Sequence, residues 1–258
     1  MSVSQERPVI PIIMAGGQGK RMNSDLPKVL HPIHGEPMLV RILKTVRGLN
    51  PLKIYVVVGT HRDTITDAVR VHLGDAPDIE YVDQPDARGT GHAIQCCLPQ
   101  IATHEDTNVL ILSGDTPLLS TELLHMVTNH ATIHPTSVIT TMKLINPTGY
   151  GRIVDRGGKF MGIVEEKDCM AVEREIRVVN CGLYRVPSES LLTYLPQLTD
   201  DNAQNEFYLT DIFKLMHQSE PGLIETLMVP NNMQYQLHGV NTSEQLVQLE
   251  NLEQIKNR

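Results

Sequence analysis

The strongest constraint on the fold is an alternation of strand-like and helix-like segments through the first half of the chain. Short apolar or β-branched runs predict strands, and apolar residues at helical spacing predict the helices between them. The predicted strands are 9–14, 53–58, 79–82, 108–112 and 137–142, and the predicted helices are 38–49, 63–73, 91–101 and 120–130. Strands that alternate with helices form a mostly parallel sheet with helices on both faces. We therefore predict an α/β fold built on a doubly wound, mostly parallel, Rossmann-like sheet.

The second half predicts a small β-rich lobe beside that sheet. Extended runs at 152–155 and 159–164 flank Arg156-Gly157-Gly158, which is a hairpin signal. Another extended run follows at 178–185, and helices are predicted over 187–195 and 208–218. Thr242 and Gln245 form a capping box that opens a last helix, whose inner face is expected to carry Leu246, Leu249, Leu252 and Ile255. Residues 1–258 are read as one domain with parts at 1–142, 143–241 and 242–258.

Composition narrows the class of protein. The net charge is −8 and aromatic residues make up only 4%, so general nucleic-acid binding and base-stacking platforms are not expected. Residues 1–70 nevertheless carry ten Lys/Arg against five Asp/Glu, which suggests a local anion site or a chance cluster on solvated helices. No apolar run approaches the roughly 20 residues needed to span a bilayer. With no C-x-x-C pair among the four cysteines, we expect a soluble, cytoplasmic protein with free thiols.

The loop after the first predicted strand has the chemistry of a phosphate site. Three glycines at 16, 17 and 19 let backbone N–H groups approach an oxyanion, and Lys20, Arg21 and Lys28 add positive charge. A Walker loop does not fit, because Gly19-Lys20 is followed by arginine; a dinucleotide fingerprint does not fit, because Met22 replaces its third glycine. The loop alone leaves two readings open, a phosphate cradle and a tight structural turn.

A longer string carries a family resemblance. Residues 14–32, MAGGQGKRMNSDLPKVLHP, resemble the signature of sugar-nucleotide pyrophosphorylases, and more narrowly the N-terminal uridylyltransferase domain of bacterial bifunctional UDP-N-acetylglucosamine pyrophosphorylases. Further segments similar to that family follow in order at 84–93, 112–118, 146–153, 164–168, 180–182, 202–211 and 239–241. Gly16 and Cys181 depart from the usual pattern. The β-helix acetyltransferase domain of that family is not expected here, so the resemblance gives acetyl transfer no support.

The resemblance implies a reaction and its participants. It implies Mg²⁺-dependent transfer of UMP from UTP to N-acetylglucosamine 1-phosphate, giving UDP-N-acetylglucosamine and pyrophosphate. Residues 1–142 would mainly bind the nucleotide and 143–241 the sugar. No nucleic acid or membrane partner is expected, and the oligomeric state is left open.

The resemblance also implies residue roles. Arg21 and Lys28 would neutralise charge that develops on the phosphates. Asp115 and Asn241 would hold Mg²⁺, which prefers one or two protein oxygens beside water and phosphate oxygens. The remaining expected contacts are with substrate: Met14, Ala15, Gly16, Gly17, Gly19 and Ser113 around the nucleotide, Gln84, Gly89 and Thr90 at uracil, and Gly151, Glu165 and Asn180 at the sugar. Glu166 competes with Glu165, since strand alternation points only one of them inward.

Three alternative functions share features with this sequence. The nearest keeps the chemistry and changes the sugar or the base. A non-catalytic nucleotide-sugar sensor is a second, and a nicotinamide-dependent oxidoreductase is disfavoured by the missing glycine. His130 and His134 have metal-ligand spacing, but a solvated helix end is the better interpretation because Pro135 follows and the glutamate of a zincin is lacking.

Overall fold

The strands of the molecule follow the predicted runs closely. The computed structural model describes residues 7–17, 19–22, 24–130 and 136–256. Its strands are β1 (Val9–Met14), β2 (Pro32–Ile33), β3 (Glu36–Pro37), β4 (Ile54–Val58), β5 (Ile79–Asp83), β6 (Asn108–Ser113), β7 (Ser137–Lys143), β8 (Arg152–Arg156), β9 (Lys159–Val164), β10 (Val178–Pro187) and β11 (Ile224–Met228).

Helices separate most of these strands. They are α1 (Met38–Arg47), α2 (Arg62–Leu73), α3 (Thr90–Gln95), α4 (Leu98–Ile101), α5 (Thr121–Thr128), α6 (Ala171–Arg174), α7 (Ser188–Tyr194), α8 (Asp211–Ser219) and α9 (Ser243–Lys256). Short 3₁₀ turns lie at Lys20–Met22, Lys28–Leu30, Leu195–Gln197 and Gln234–Leu237.

The main sheet is mostly parallel, as predicted. Its order is β11-β7-β10-β6-β1-β4-β5, and β1 pairs in parallel with both β4 and β6. The exception is β10, which runs antiparallel to β6 and β7. Because neighbouring parallel strands end at one edge, Met14, Val58 and Ser113 bring the loops that follow β1, β4 and β6 together. Ligands of doubly wound sheets bind at this edge.

Both faces of the sheet are covered by apolar layers, which confirms the doubly wound architecture. Along β1, Ile13 packs into one layer while Ile10 and Ile12 pack into the other, because successive side chains of a strand point to opposite faces. The first layer takes the inner residues of α1, α2 and α5. The second takes those of α3, α4, α7 and α8.

The predicted lobe is a hairpin of β8 and β9. Arg156 pairs with Lys159 across Gly157 and Gly158, whose φ values of 63° and 79° suit a two-residue turn between twisted strands. The hairpin joins the sheet where Arg152 pairs with Val179 of β10, and α8 packs against β9.

Several predicted elements were wrong in detail. The predicted helix 91–101 is two helices, because Pro99 lacks the N–H that a continuous helix would bond to Gln95. Helix 208–218 begins at Asp211 instead. In α9, Leu249 is buried, but Ile255 is 68% exposed and lies outside the predicted inner face. The edge strand β11 and the four-residue helix α6 were not predicted.

Candidate active site

The glycine loop is held against the ends of three strands. Ala15 N donates to Val57 O at 2.8 Å, and Gly114 N donates to Met14 O at 2.9 Å. A Cβ at Gly16 would lie 3.0 Å from Gln84 Oε1, so the loop packs directly on that side chain. Gly19 has a φ of 58° and lies against Lys28, since its Cβ would be 2.7 Å from that of Lys28. Gln18 and Asn23 of the same motif lie outside the described residues.

Four predicted residues from distant parts of the chain converge at one point. Lys28 Nζ donates to Asp115 Oδ2 in a short ion pair and lies 3.4 Å from Asn241 Oδ1. Arg21 Nη2 donates to the same amide oxygen at 2.9 Å. The predicted phosphate-binding cations and the predicted metal ligands therefore form a single cluster.

Local structure holds three members of this cluster, Lys28, Asp115 and Asn241. Lys28 opens a 3₁₀ turn that is anchored by buried Val29 and Leu30. Asp115 follows β6, and its carbonyl accepts from Val240 N at 2.9 Å, which holds the segment before Asn241 beside it. The backbone N–H of Asn241 donates to Gln245 Oε1 at 2.7 Å, so the first turn of α9 holds the backbone of Asn241 in place.

A cleft of about 270 Å³ opens beside the cluster. Its lining includes nine predicted site residues: Met14, Gly16, Gly17, Lys28, Gln84, Gly89, Thr90, Ser113 and Asp115. The predicted residues Ala15 and Gly19 are not among the residues that line the cleft. Glu206 also lines the cleft, and sequence reasoning assigned it no role although it belongs to the motif at 202–211.

The far end of the cleft is built around Gln84. Its Nε2 donates to Gly89 O at 3.1 Å, which leaves Oε1 facing Gly16. Gly89 has a φ of 103°, and a Cβ there would be 2.6 Å from Phe207 O, so only glycine fits. Thr90 Oγ1 accepts from Leu209 N at 3.1 Å. This end offers an amide oxygen and backbone groups, and the side chain of Glu206 lies beside Gly89.

The three predicted sugar-side residues are neighbours. Asn180 N donates to Gly151 O at 2.9 Å, and a Cβ at Gly151 would lie 3.3 Å from Glu165 Oε2. Asn180 Nδ2 donates to Tyr184 OH at 2.6 Å, and Oδ1 accepts from Gly182 N at 3.1 Å. Gly151 and Asn180 do not line the 270 Å³ cleft; Glu165 lines a second, larger cavity of about 490 Å³.

Two adjacent glutamates have different surroundings. Glu165 Oε1 accepts from Thr210 Oγ1 at 2.8 Å, and burial raises the pKa of this carboxyl although that hydrogen bond lowers it. Glu166 instead pairs with Arg152 at 2.7 Å and Arg174 at 3.3 Å. Glu165 is therefore the carboxylate that faces Gly151, and Glu166 ties down the hairpin.

The basic character of residues 1–70 is mostly neutralised away from the cleft. Arg47 binds Asp78 through two nitrogens at 2.7 Å each, Arg41 pairs with Glu253 at 2.5 Å, and Lys44 pairs with Glu36. Among the side chains of residues 1–70 that the structure describes, Arg21 and Lys28 are the basic groups at the cluster described above. The charge balance suggested an anion site within residues 1–70. The structure places only part of that basic segment, around Arg21 and Lys28, beside the cleft.

The side-chain oxygens of Asp115 and Asn241 fit a cation that takes most of its ligands from a bound substrate and from water. Within the described ranges, no group of three or more His, Cys, Asp or Glu side chains is placed to hold a metal ion. One carboxylate and one amide oxygen, Asp115 and Asn241, already share one ammonium group. Two hard oxygens fit Mg²⁺ that is otherwise bound by phosphate and water oxygens. His130 pairs with Glu225 at 3.5 Å, and His134 lies outside the described residues.

No helix among the described residues is long and apolar enough to cross a membrane.

Comparison with known proteins agrees with this geometry. The family profile of MobA-like NTP transferase domains matches residues 11–157, more than half of the chain. A probable UDP-N-acetylglucosamine pyrophosphorylase of Acanthamoeba polyphaga mimivirus is 39% identical over 242 residues, which is 93% of this chain and 94% of that protein. The bifunctional protein GlmU of Paraburkholderia phymatum is 40% identical over 244 residues, 94% of this chain but 51% of its own length. The chain thus spans about half the length of its bifunctional relatives.

Among solved structures, UDP-glucose pyrophosphorylase complexed with UDP-glucose superposes with a TM-score of 0.73. The match covers 97% of this chain and 100% of the other at 15% sequence identity, so it supports the fold alone. The family profile and the similarity to the viral protein, which extends over 94% of that protein, indicate a nucleotidyltransferase. The residues that line the cleft agree with this assignment. The chain belongs to the family of MobA-like NTP transferase domains and is a nucleotidyltransferase.

Proposed function

We propose that this nucleotidyltransferase moves UMP from UTP to N-acetylglucosamine 1-phosphate and releases pyrophosphate. The observation that carries the proposal is the meeting of Arg21, Lys28, Asp115 and Asn241 beside the glycine loop, at the strand ends where α/β folds bind ligands. The similarity to a viral protein named as a probable UDP-N-acetylglucosamine pyrophosphorylase supports the choice of nucleotide and sugar.

In this proposal the cleft orients the nucleotide. Gly16 and Gly17 approach the phosphates closely, and Met14 and Ser113 line the cleft beside them. Ala15, bonded to Val57, and Gly19, packed on Lys28, hold the loop in place. Uracil lies at the Gln84 end, where Oε1 accepts from the imide N–H and Gly89 and Thr90 complete the contact. Residues 1–142 are thus mainly the nucleotide half.

The sugar phosphate binds on the side of residues 143–241. The carboxylate of Glu165 accepts from sugar hydroxyls, and Asn180 pairs with the acetamide beside Gly151. Buried hydrogen bonds of this kind reject analogues that lack the partner group.

The reaction needs no general base. An oxygen of the sugar 1-phosphate, mostly dianionic because its second pKa is about 6, attacks the α-phosphorus in line with the departing pyrophosphate. A new P–O bond forms as the bond to the bridging oxygen breaks. Lys28 and Arg21 stabilise the charge on the phosphates. Asp115 and Asn241 would hold Mg²⁺, which supplies Lewis-acid neutralisation of phosphate charge.

The cellular setting also belongs to the proposal. Cys96, Cys97, Cys169 and Cys181 are all free thiols. Unpaired cysteines, three of them buried, support a reducing, cytoplasmic location.

A pyrophosphate-release screen tests the function. We expect release from UTP with N-acetylglucosamine 1-phosphate and Mg²⁺, little from other nucleotides or from glucose 1-phosphate, and none without divalent metal. Asp115→Asn should lower the rate of turnover at least about 100-fold, while the circular-dichroism spectrum stays unchanged. Faster release from another pair would reassign the substrates, and no release from any pair would defeat the proposal.

A further inference from the structure

The ammonium group of Lys28 lies between the two oxygens proposed as metal ligands. Its Nζ donates to Asp115 Oδ2 and lies 3.4 Å from Asn241 Oδ1. The side chains of Lys28 and Asp115 are only 16% and 13% exposed, so solvent screens this ion pair poorly. Among the described residues, Lys28 is the cation that pairs with Asp115.

A metal ion and this ammonium group compete for the same oxygens. Two cations close together repel each other, and more strongly where water is partly excluded. Binding of a divalent cation to Asp115 and Asn241 therefore requires Lys28 to withdraw. Arg21 adds a second positive charge at Asn241, at 2.9 Å.

The side chain of Lys28 can reach a second position, in the cleft. It lines the cleft together with Gly16 and Gly17, so its flexible four-carbon stem reaches the region proposed for the phosphates. A bound polyphosphate would give the ammonium group new anionic partners and deliver the metal at the same time.

We propose that Lys28 is an exchangeable internal cation, which occupies the metal position until a metal–nucleotide complex draws it onto the phosphates. This inference rests on the proposed function. It follows that the metal alone binds weakly, and that metal and nucleotide strengthen each other's binding by the same factor, because linkage is reciprocal. Lys28 would thereby keep the metal site closed to divalent cations that arrive without nucleotide.

The test measures binding of Mn²⁺ alone, by the loss of the free-ion EPR signal in the absence of nucleotide. Lys28→Met and Lys28→Gln remove the competing charge, and both should bind Mn²⁺ about tenfold or more tighter than the wild-type protein. Lys44→Met is the matched control, because Lys44 pairs with Glu36 outside the cluster; its affinity should equal that of the wild type. In the double variant Lys28→Met/Asp115→Asn the gain should disappear.

Equal Mn²⁺ affinity in wild-type and Lys28 variants would overturn the exchange. Crystals of the wild-type protein soaked with Mn²⁺ and UTP give a readout that does not depend on variant folding. Anomalous density at Asp115 with Lys28 moved onto phosphate supports the exchange; the same density with Lys28 still bonded to Asp115 contradicts it. Tighter Mn²⁺ binding by the variants without pyrophosphate release by the wild type would defeat only the proposed function.

Discussion

At the scale of single residues, Gly19 is a sharp test of how Lys28 is positioned. Its φ of 58° disfavours any side chain, and a Cβ would meet the Cβ of Lys28 at 2.7 Å, an atom that cannot rotate away. Gly19→Ala should therefore shift Lys28 and lower kcat/KM roughly 10- to 100-fold in pyrophosphate-release assays.

Gly35→Ala is the matched control for backbone strain. Gly35 also has a positive φ, 81°, but no atom lies within 4 Å of the position of its Cβ. That variant should lose some stability and keep its kcat/KM. Equal activity losses in both variants would show that strain, and not displacement of Lys28, is responsible.

Glu165 predicts a pH dependence of sugar-phosphate binding. Burial raises the pKa of this carboxyl, so it takes up a proton at a higher pH than a free glutamate and then loses acceptor capacity. We expect the KM for the sugar phosphate to rise as pH falls through this raised pKa, and Glu165→Gln to raise that KM about tenfold and remove the dependence. Initial rates from pH 4.5 to 8 measure both; titration of the phosphate itself stays in the variant.

The raised pKa of Glu165 also predicts how the stability of the protein depends on pH. A raised pKa in the folded protein favours folding below the ordinary glutamate pKa, and this contribution is lost as pH rises through the raised value. Glu165→Gln should consequently melt above the wild type at neutral pH. Glu166→Gln weakens the pairing of Arg152, whose side chain is only 2% exposed, and should lower the melting temperature with little change in KM.

At the scale of secondary-structure elements, the β8–β9 turn isolates a backbone effect. Gly157 and Gly158 both have positive φ and open space around them, so a substitution there meets only conformational strain. Gly157→Ala should destabilise the protein by about 1 kcal/mol, which lowers the melting temperature by roughly 2–4 °C in a chain of this size. Gly157→Asn should cost less, since asparagine visits this conformation; an equally large loss would contradict the assignment.

The same elements show how far the sequence specifies the fold. Central strands such as β4 and β6 were predictable because they are buried on both faces and read as continuous apolar runs. Strand β11 lies at the sheet edge, where Thr226 and Met228 are exposed and the other three residues are only half-buried, so its sequence carries a weak signal. The break between α3 and α4 could have been inferred from Pro99, whereas the exposure of Ile255 depends on how α9 docks.

At the scale of the whole molecule, the site depends on contacts across long stretches of chain. Lys28 meets a carboxylate 87 residues away and an amide 213 residues away. No spacing rule links such positions, and only the resemblance assigned them to one site. The parallel strand ends explain why Asp115 faces the glycine loop, but the approach of Asn241 requires the docking of its segment on Asp115, through Val240.

One segment, residues 206–210, connects the two proposed substrate sides. Phe207 N donates to Arg88 O at 2.8 Å and Phe207 O accepts from Gly91 N at 2.7 Å, so the segment braces the loop at the Gln84 end of the cleft. Three residues later, Thr210 Oγ1 donates to Glu165 at 2.8 Å. The proposed nucleotide side and the proposed sugar side are therefore held by the same short stretch of chain.

This connection makes Thr210 a positioning residue whose effect on the sugar side can be separated from folding. Thr210→Val keeps the shape but removes the hydrogen bond that lowers the pKa of Glu165, so we expect the KM for the sugar phosphate to rise about tenfold and its pH dependence to move to higher pH. The KM for UTP should change little, because the bonds of Phe207 to Arg88 and Gly91 use only backbone atoms. Thr210→Ser should restore both sugar-side properties, since it restores the hydroxyl donor. A Thr210→Val enzyme with an unshifted pH profile would mean that Thr210 only fills space, and that Glu165 is oriented by the hairpin alone.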